Sequence, residues 1–323
     1  MRLIRIAAAI VACVAVSASV AMAQTYPDKP IRWVVGYPPG GAVDIIARTI
    51  GQAMGERLGQ NVIVDNRPGS AANVAAEVVK NSRPDGYTLL HGPDNLFTIN
   101  PHIYSKMPTD PMNDFVPITS MIRNQLVLTV NATKVPVKDF REFIAFAKKQ
   151  KEPLFYASIG NGSVHHLATE YLKRTAGINL IHVPYKGGGP AGIATVAGEA
   201  AVMFGGGSVV PLVKSGKLKG IAVSSTERSK ALPELPTISE VYPDYAVTIW
   251  HGLFAPVGTP QPILDLLRKE VELALARPDV QARLLKSGSG EPYLVPVAEF
   301  AAQIRRDYET YGKLIKEIGL KVD

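Results

Sequence analysis

One local unit recurs along this chain: a buried-looking strand, a glycine-bearing turn, then an amphipathic helix. It occurs four times, in two pairs. The first pair starts at Ile31-Arg-Trp-Val-Val-Gly-Tyr-Pro-Pro-Gly-Gly-Ala-Val-Asp44 and continues at Val62-Ile-Val-Asp-Asn-Arg-Pro-Gly-Ser70. The second starts at Leu154-Phe-Tyr-Ala-Ser-Ile-Gly-Asn-Gly-Ser163 and continues at Leu180-Ile-His-Val-Pro-Tyr-Lys-Gly-Gly-Gly189. A helix entered through glycines presents unpaired backbone N–H groups and the positive end of its dipole. It can therefore hold an anion without a cationic side chain. Two matched pairs predict two similar lobes facing each other across a cleft, a form suited to closing on a carboxylate.

The N-terminus reads as an export signal. Arg2 and Arg5 form a basic region, Ile6 to Val20 an apolar stretch, and Ala21-Met-Ala23 a small-residue cleavage site, so residues 1–23 are expected to be removed. Lipoprotein processing at Cys13 is the rival reading; the apolar run continues past it to the better site downstream. Cleavage would remove the only cysteine, leaving an exported product without disulfides whose stability comes from core burial. No later apolar run is long enough to span a bilayer, so the expected product is periplasmic and not inserted in the membrane. The formal charge is +7, with scattered basic residues; the run Lys148-Lys-Gln-Lys151 ends a predicted helix, where cations suit the dipole. No nucleic-acid partner is expected.

Further along, Ile31–Val35 and Leu126–Val130 read as strands, and 42–58 as a helix with Val43, Ile46, Ala47, Ile50 and Met54 on one face. Residues 92–125 are proline-rich and predicted irregular. Alternating β and α at short spacing predicts a mostly parallel sheet covered by helices. Val247–Phe254 reads as a strand returning to the first lobe. The expected division is residues 24–125 and 247–323 in lobe one and residues 126–246 in lobe two. A chain that crosses twice in this way has a hinge of crossing strands.

The prolines of Tyr37-Pro-Pro-Gly-Gly41 deny two N–H donors and stiffen the turn, while Gly40 and Gly41 let backbone approach a ligand. Asp44, in the first helical turn, either offsets the dipole and bonds local N–H groups or touches the ligand. Ser70 is a candidate helix cap or ligand contact, and Asn95 a further ligand candidate. Tyr37 and Tyr185 hold comparable places and could wall the apolar middle of a ligand or simply pack. Gly160-Asn-Gly-Ser-Val-His-His166 is not a dinucleotide fingerprint: the third glycine position is His165, and no acidic residue follows on Leu180–Pro184. The histidines lack metal-ligand spacing, and neither metal nor cofactor is expected. A hydrolase or isomerase using Ser163 with His165 or His166 is the alternative function; no Gly-x-Ser-x-Gly elbow supports it.

These segments resemble the Bug family, the substrate-binding receptors of tripartite tricarboxylate transporters. The resemblance rests on Tyr26-Pro-Asp-Lys-Pro-Ile31, Tyr37-Pro-Pro-Gly-Gly41 with Asp44, Val64-Asp-Asn-Arg-Pro-Gly69 and Pro84-Asp-Gly-Tyr-Thr-Leu89. It continues through Gly162-Ser163, His166-Leu167, Val183-Pro-Tyr-Lys-Gly187 and the run from Gly252 to Pro260. It implies an α/β, two-lobe periplasmic binding protein of type II-like, Venus-flytrap form. It also implies a small mono- or dicarboxylate ligand, held by backbone N–H groups and ordered water, and delivery to the permease subunits of a membrane transporter. A monomer is expected. Carried over residue by residue, it points to Tyr37, Gly40, Gly41 and Asp44 in lobe one. In lobe two it points to Ser158, Gly162, Ser163, Lys186 and Gly187, with His166 and Tyr185 beside them. The chain departs from the family at Ser70-Ala-Ala72, where a Gly-Gly pair is common, and at Ala201 and Gly205-Gly-Gly207, where the family is more polar.

Overall fold

The computed structural model describes residues 26–321. The predicted signal peptide and Cys13 lie outside them. The strands are β1 Ile31–Val35, β2 Val62–Asn66, β3 Thr88–Pro93, β4 Phe115–Gln125, β5 Val127–Val130, β6 Leu154–Ser158, β7 Leu180–Pro184, β8 Val202–Gly205, β9 Lys219–Val223, β10 Thr248–Pro256 and β11 Glu291–Pro292. They form two sheets, ordered β11-β4-β10-β3-β1-β2 and β7-β6-β8-β5-β9.

Apart from the two-residue β11, the sheets share one plan. Three parallel strands, β2-β1-β3 or β7-β6-β8, lie beside an antiparallel strand, β10 or β5, and then a fifth, β4 or β9. The matched glycine turns of the sequence therefore mark matched places: each follows the first or second parallel strand of its sheet, β1 and β2 or β6 and β7. The parallel strands are the ones joined by helices, as the alternation predicts, because a parallel pair needs a long crossover. The chain passes from the first sheet to the second between Gln125 and Val127 and returns between Val223 and Thr248. Buried Ser224 stitches the two crossings together. Its Oγ accepts from Leu126 N–H (3.0 Å) and donates to Val247 O (2.6 Å).

One expectation needs refining and one needs correction. The long strands of each sheet mostly run in one direction, as expected, but a single strand in each, β10 or β5, runs against the rest. Residues 92–125 are not irregular: they contain the short helices Asp94–Thr98, Asn100–Ile103 and Pro111–Asp114 and the eleven-residue β4. Pro117, the residue that argues against a strand, pairs with Phe254 beside a register shift in the β4–β10 ladder. A bulge is where a sheet tolerates a residue without an N–H.

Each sheet is covered on both faces, which is why β1, β3, β5 and β8 are almost wholly buried. In lobe one, Trp33, Ile46, Ile50 and Leu267 fill one side, and Leu90, Phe97, Trp250 and Phe254 the other. In lobe two, Leu128, Phe143, Tyr156 and Phe204 fill one side, and Val127, Ala191, Met203 and Val209 the other. The last helix, Val297–Ile318, serves both lobes. Phe300 and Ile304 lie in a lobe-one core, whereas Tyr311, Leu314 and Ile315 lie in the main lobe-two core. Among the described residues no helix is long and apolar enough to cross a membrane.

Candidate functional site

Lobe one presents three turns at the carboxyl ends of its parallel strands, the edge where open α/β sheets receive ligands. The first runs from Gly36 to Gly41. Gly40 has φ +82°, and a Cβ there would meet nothing within 4 Å, so backbone conformation rather than space calls for glycine. Helix Ala42–Leu58 starts at Gly41 with no side-chain cap. Among the described residues nothing accepts from the N–H groups of Gly41, Ala42 or Val43. Asp44, 3% exposed, braces this turn. It accepts from Gly40 N–H (3.0 Å), Arg48 Nε (2.9 Å) and Asn66 Nδ2 (2.9 Å). Burial alone would raise its carboxyl, but hydrogen bonds from Arg48, Gly40 and Asn66 outweigh that and hold it below its usual value. Both oxygens already have partners, so Asp44 shapes the loop from beneath.

The second turn is strained. Ser70, Ala71 and Ala72 stand at φ +45°, +53° and +79°, where each non-glycine residue costs roughly 1–2 kcal/mol. Asn95 and Asn100 hold it: both Nδ2 groups donate to Ala71 O at 3.0 Å. Asn95 Oδ1 also accepts from Tyr37 Oη (3.1 Å), which joins the first and second turns. Ser70 is exposed and makes no side-chain cap; helix Asn73–Lys80 begins uncapped at Ala72. Tyr37, Gly40, Gly41, Asp44, Ser70 and Asn95 thus belong to one connected group.

Lobe two repeats the plan. Ser158, fully buried at the end of β6, lies 2.6 Å from His182 Nε2 and accepts from Gly160 N–H (3.1 Å). Ser163 caps helix Val164–Ala176: its Oγ accepts from His166 N–H (3.3 Å) and donates to Gly160 O (2.7 Å). Gly162 N–H donates to His166 Nδ1 (3.3 Å), and the His166 ring stacks on His182 with centroids 3.8 Å apart. Burial, with the neighbouring His182, lowers His166 to about 4 and keeps it neutral. The N–H groups of Val164 and His165 have no acceptor among the described residues. The second turn opens helix Gly188–Ala197 through Gly187, φ +108°, again uncapped. Lys186 is exposed beside it and pairs with no carboxylate among the described residues. The Tyr185 side chain runs away from this mouth. Its Oη donates to Glu199 (3.3 Å) beyond the far end of the helix, so it is not the counterpart of Tyr37.

A third turn follows β3 and β8; the sequence offers Asn95 from it as a site candidate and Gly205-Gly-Gly207 only as a departure from the family. In lobe one it carries Asp94, 2% exposed with Oδ2 unpartnered; burial, reinforced by Asp307, pushes its carboxyl up to about 8. In lobe two it is Gly205 to Ser208. Three glycines directly after an apolar strand were the available signal there; Asp94 had none, because burial of a charge is set by distant residues. Among the described residues no hydrogen bond or ion pair joins the two candidate groups. A cavity of about 720 Å³ lies elsewhere, at the junction of the lobes, between Arg123, Lys214, Arg228 and Lys286. It shares only Gly206, Gly207 and Ser208 with the turns. Ion pairs engage Arg123 with Glu227 (3.0 Å), Lys230 with Glu291 (3.1 Å) and Arg228 with Glu240 (2.9 Å) on its rim.

Chemically this is a surface for holding and not for bond-making. Ser163 Oγ faces backbone partners, and the His166 nitrogen nearest the turn is engaged by Gly162. Among the described residues, the one serine–histidine side-chain contact there, Ser158 Oγ to His182 Nε2 at 2.6 Å, is sealed in the interior, because Ser158 is fully buried and its hydroxyl also meets the Gly160 backbone; no accessible nucleophile–base pair stands at the turn. Among the described residues no group of three or more His, Cys, Asp or Glu is placed to hold a metal.

Comparison with known proteins agrees. Residues 46–320 match the family model described as the tripartite tricarboxylate transporter family receptor (TctC). A protein encoded in the tcbD–tcbE intergenic region of Pseudomonas sp. strain P51 is 35% identical over 307 residues, 93% of this chain and 89% of that one. Among solved structures, Rpa4515 of R. palustris with adipate has a TM-score of 0.82 at 30% identity, covering 92% of this chain and 99% of that one. MatC from Rhodopseudomonas palustris with bound malate has a TM-score of 0.77 at 29% identity, covering 90% and 100%.

Proposed function

Since this chain belongs to the tripartite tricarboxylate transporter receptor family, the group of the Bug receptors, and is a solute-binding receptor rather than an enzyme, we propose that it captures a small dicarboxylate between its lobes and hands it to the permease subunits of a membrane transporter. The observation that carries this is a pair of helix mouths with open amides at equivalent strand ends: Gly41 to Val43 after β1 in lobe one, and Val164 and His165 after β6 in lobe two. Each mouth offers several N–H donors and a dipole end to one carboxylate. Two mouths, one per lobe, match a ligand charged at both ends. The similar proteins solved with adipate and malate bracket the ligand class. In this reading the protein is periplasmic and monomeric, and lobe one (24–125 and 247–323) and lobe two (126–246) are joined at the Ser224 stitch and by the last helix, whose final turns are seated in lobe two. The acid meets one lobe first, and the second then closes over it.

Calorimetric titration with adipate, malate and succinate tests the proposal. At least one is expected to bind, and a concentration a hundredfold above its Kd should stabilise the fold by about 2.7 kcal/mol. A folded sample that binds none of a broad acid panel would sink the reading. Gly41→Val sharpens the test. Gly41 has an ordinary φ of −78°, and a Cβ there meets only Pro38 O at 3.7 Å, so the fold tolerates a side chain. The valine projects over the open amides, and affinity is expected to drop at least tenfold with Tm unchanged. Equal affinity would remove Gly41 from the site.

A further inference from the structure

The two adjacent histidines of lobe two have opposite environments. His166 is occupied: Gly162 N–H meets its Nδ1 and His182 covers its face. His165 is 7% exposed and makes no side-chain hydrogen bond among the described residues. Its Nδ1 is fully buried without a partner. Its Nε2 lies toward the third turn, where a Cβ built on Gly206 would stand 3.8 Å away. Gly206 has φ −78°, which any residue adopts, so its backbone does not require glycine. The effect of glycine there is spatial: the edge of the His165 ring stays uncovered between the first and third turns.

The orphaned Nδ1 fixes the tautomer. A buried N–H without an acceptor is rarer and more costly than a buried lone pair without a donor. The proton therefore sits on Nε2, the uncovered nitrogen. Burial, which lowers His165 to about 4, keeps the ring neutral at physiological pH, and the dipole at the start of helix Val164–Ala176 acts in the same direction.

We propose that His165 is a ligand-binding residue, whose Nε2–H donates to a carboxylate of the bound dicarboxylate beside the free main-chain amides of Val164 and itself. This rests on the receptor reading above and adds to it one side chain that reads the ligand. A neutral donor suits the site: it adds a directed hydrogen bond without the desolvation penalty of a buried cation. Gly206 then acts as the residue that keeps this donor accessible.

The test combines affinity with a direct view of the ring. In ¹⁵N spectra of the full protein titrated with adipate or malate, His165 should show the Nε2–H tautomer, and its Nε2 signal should move on saturation. His165→Ala is expected to weaken binding about tenfold. Gly206→Val should weaken binding similarly at unchanged Tm, since a Cβ at 3.8 Å is an ordinary contact. The double variant should be little worse than either single one, because both changes remove one interaction. His165→Gln, which keeps a donor, should recover part of the loss. Parent-like affinity in both single variants, or a His165 signal unmoved at saturation, overturns the role of His165 while the receptor reading stands. A parent that binds none of the acids overturns both.

Discussion

Acidification from pH 7 to pH 4.5 is expected to lower Tm steeply, well before most carboxylates titrate. All six histidines are held below their ordinary value in the folded chain, chiefly by burial. His165, His166 and His251 fall to about 4, and the buried His91, facing His251, falls well below its usual range. A histidine depressed on folding contributes stability that is complete above its unfolded value near 6.5. That contribution is lost as the pH falls toward its folded value, because the unfolded chain takes up the proton first. Each of the three near 4 accounts for roughly 3 kcal/mol by pH 4. Three such groups approach the whole stability of an ordinary domain, about 5–15 kcal/mol. The buried carboxyls work against this. Asp94, pushed up to about 8, and Asp307, also raised, favour the folded state as pH falls through the same window. They are two groups against six, so the histidines prevail. Calorimetric scans at half-unit intervals, with proton uptake on unfolding measured in two buffers, check the claim. A Tm flat from pH 6.5 to 4.5 would contradict the neutral, buried state of these rings.

Gly207→Ala is expected to separate the lobes. A Cβ on Gly207 would stand 1.7 Å from Gly288 O and 2.4 Å from its carbonyl carbon. Gly207 lies on the third turn of lobe two; Gly288 follows helix Pro278–Lys286 on lobe one and has φ +68°, itself a glycine position. Both partners are main chain, so no rotamer relieves the overlap. The lobe cores do not include this contact, and each lobe should stay folded. The expected result is a larger radius of gyration in solution scattering and at least a tenfold loss of dicarboxylate affinity, because the energy of bringing the lobes together then opposes binding. Unchanged scattering and affinity would show that the 286–290 loop yields and that this contact does not govern the approach of the lobes.

The contrast between legible and hidden parts follows from the range of the interactions. β1 and its turn could be read because a continuous apolar run and the following glycines are neighbours in sequence, and the same holds for β6 and Gly160 to Ser163. β4 could not, because Pro117 is acceptable only beside a bulge that β4 forms on pairing with the distant β10. Tyr37 and Tyr185 looked alike from their flanking residues, yet one reaches Asn95 and the other Glu199. Asn95 is a ligand candidate by sequence; that it also braces the turn through Tyr37 and Ala71 is hidden there, because those partners lie far away in sequence. His165 and His166 are adjacent and chemically identical. Only Gly162, His182 and Gly206, folded around them, decide which ring is left with a free edge.

The long C-terminal helix constrains how such a receptor can open. Its early residues Phe300 and Ile304 are rooted in one half and its later residues Tyr311, Leu314 and Ile315 in the other. Hauling either set into water would cost about 1.5–3 kcal/mol for each large side chain. A wide gape on the two crossing connections alone is therefore closed to this molecule. Any opening has to keep this helix seated in both halves, and Asp307, bonded to Trp250 Nε1 at 2.9 Å, stands between the two anchorages.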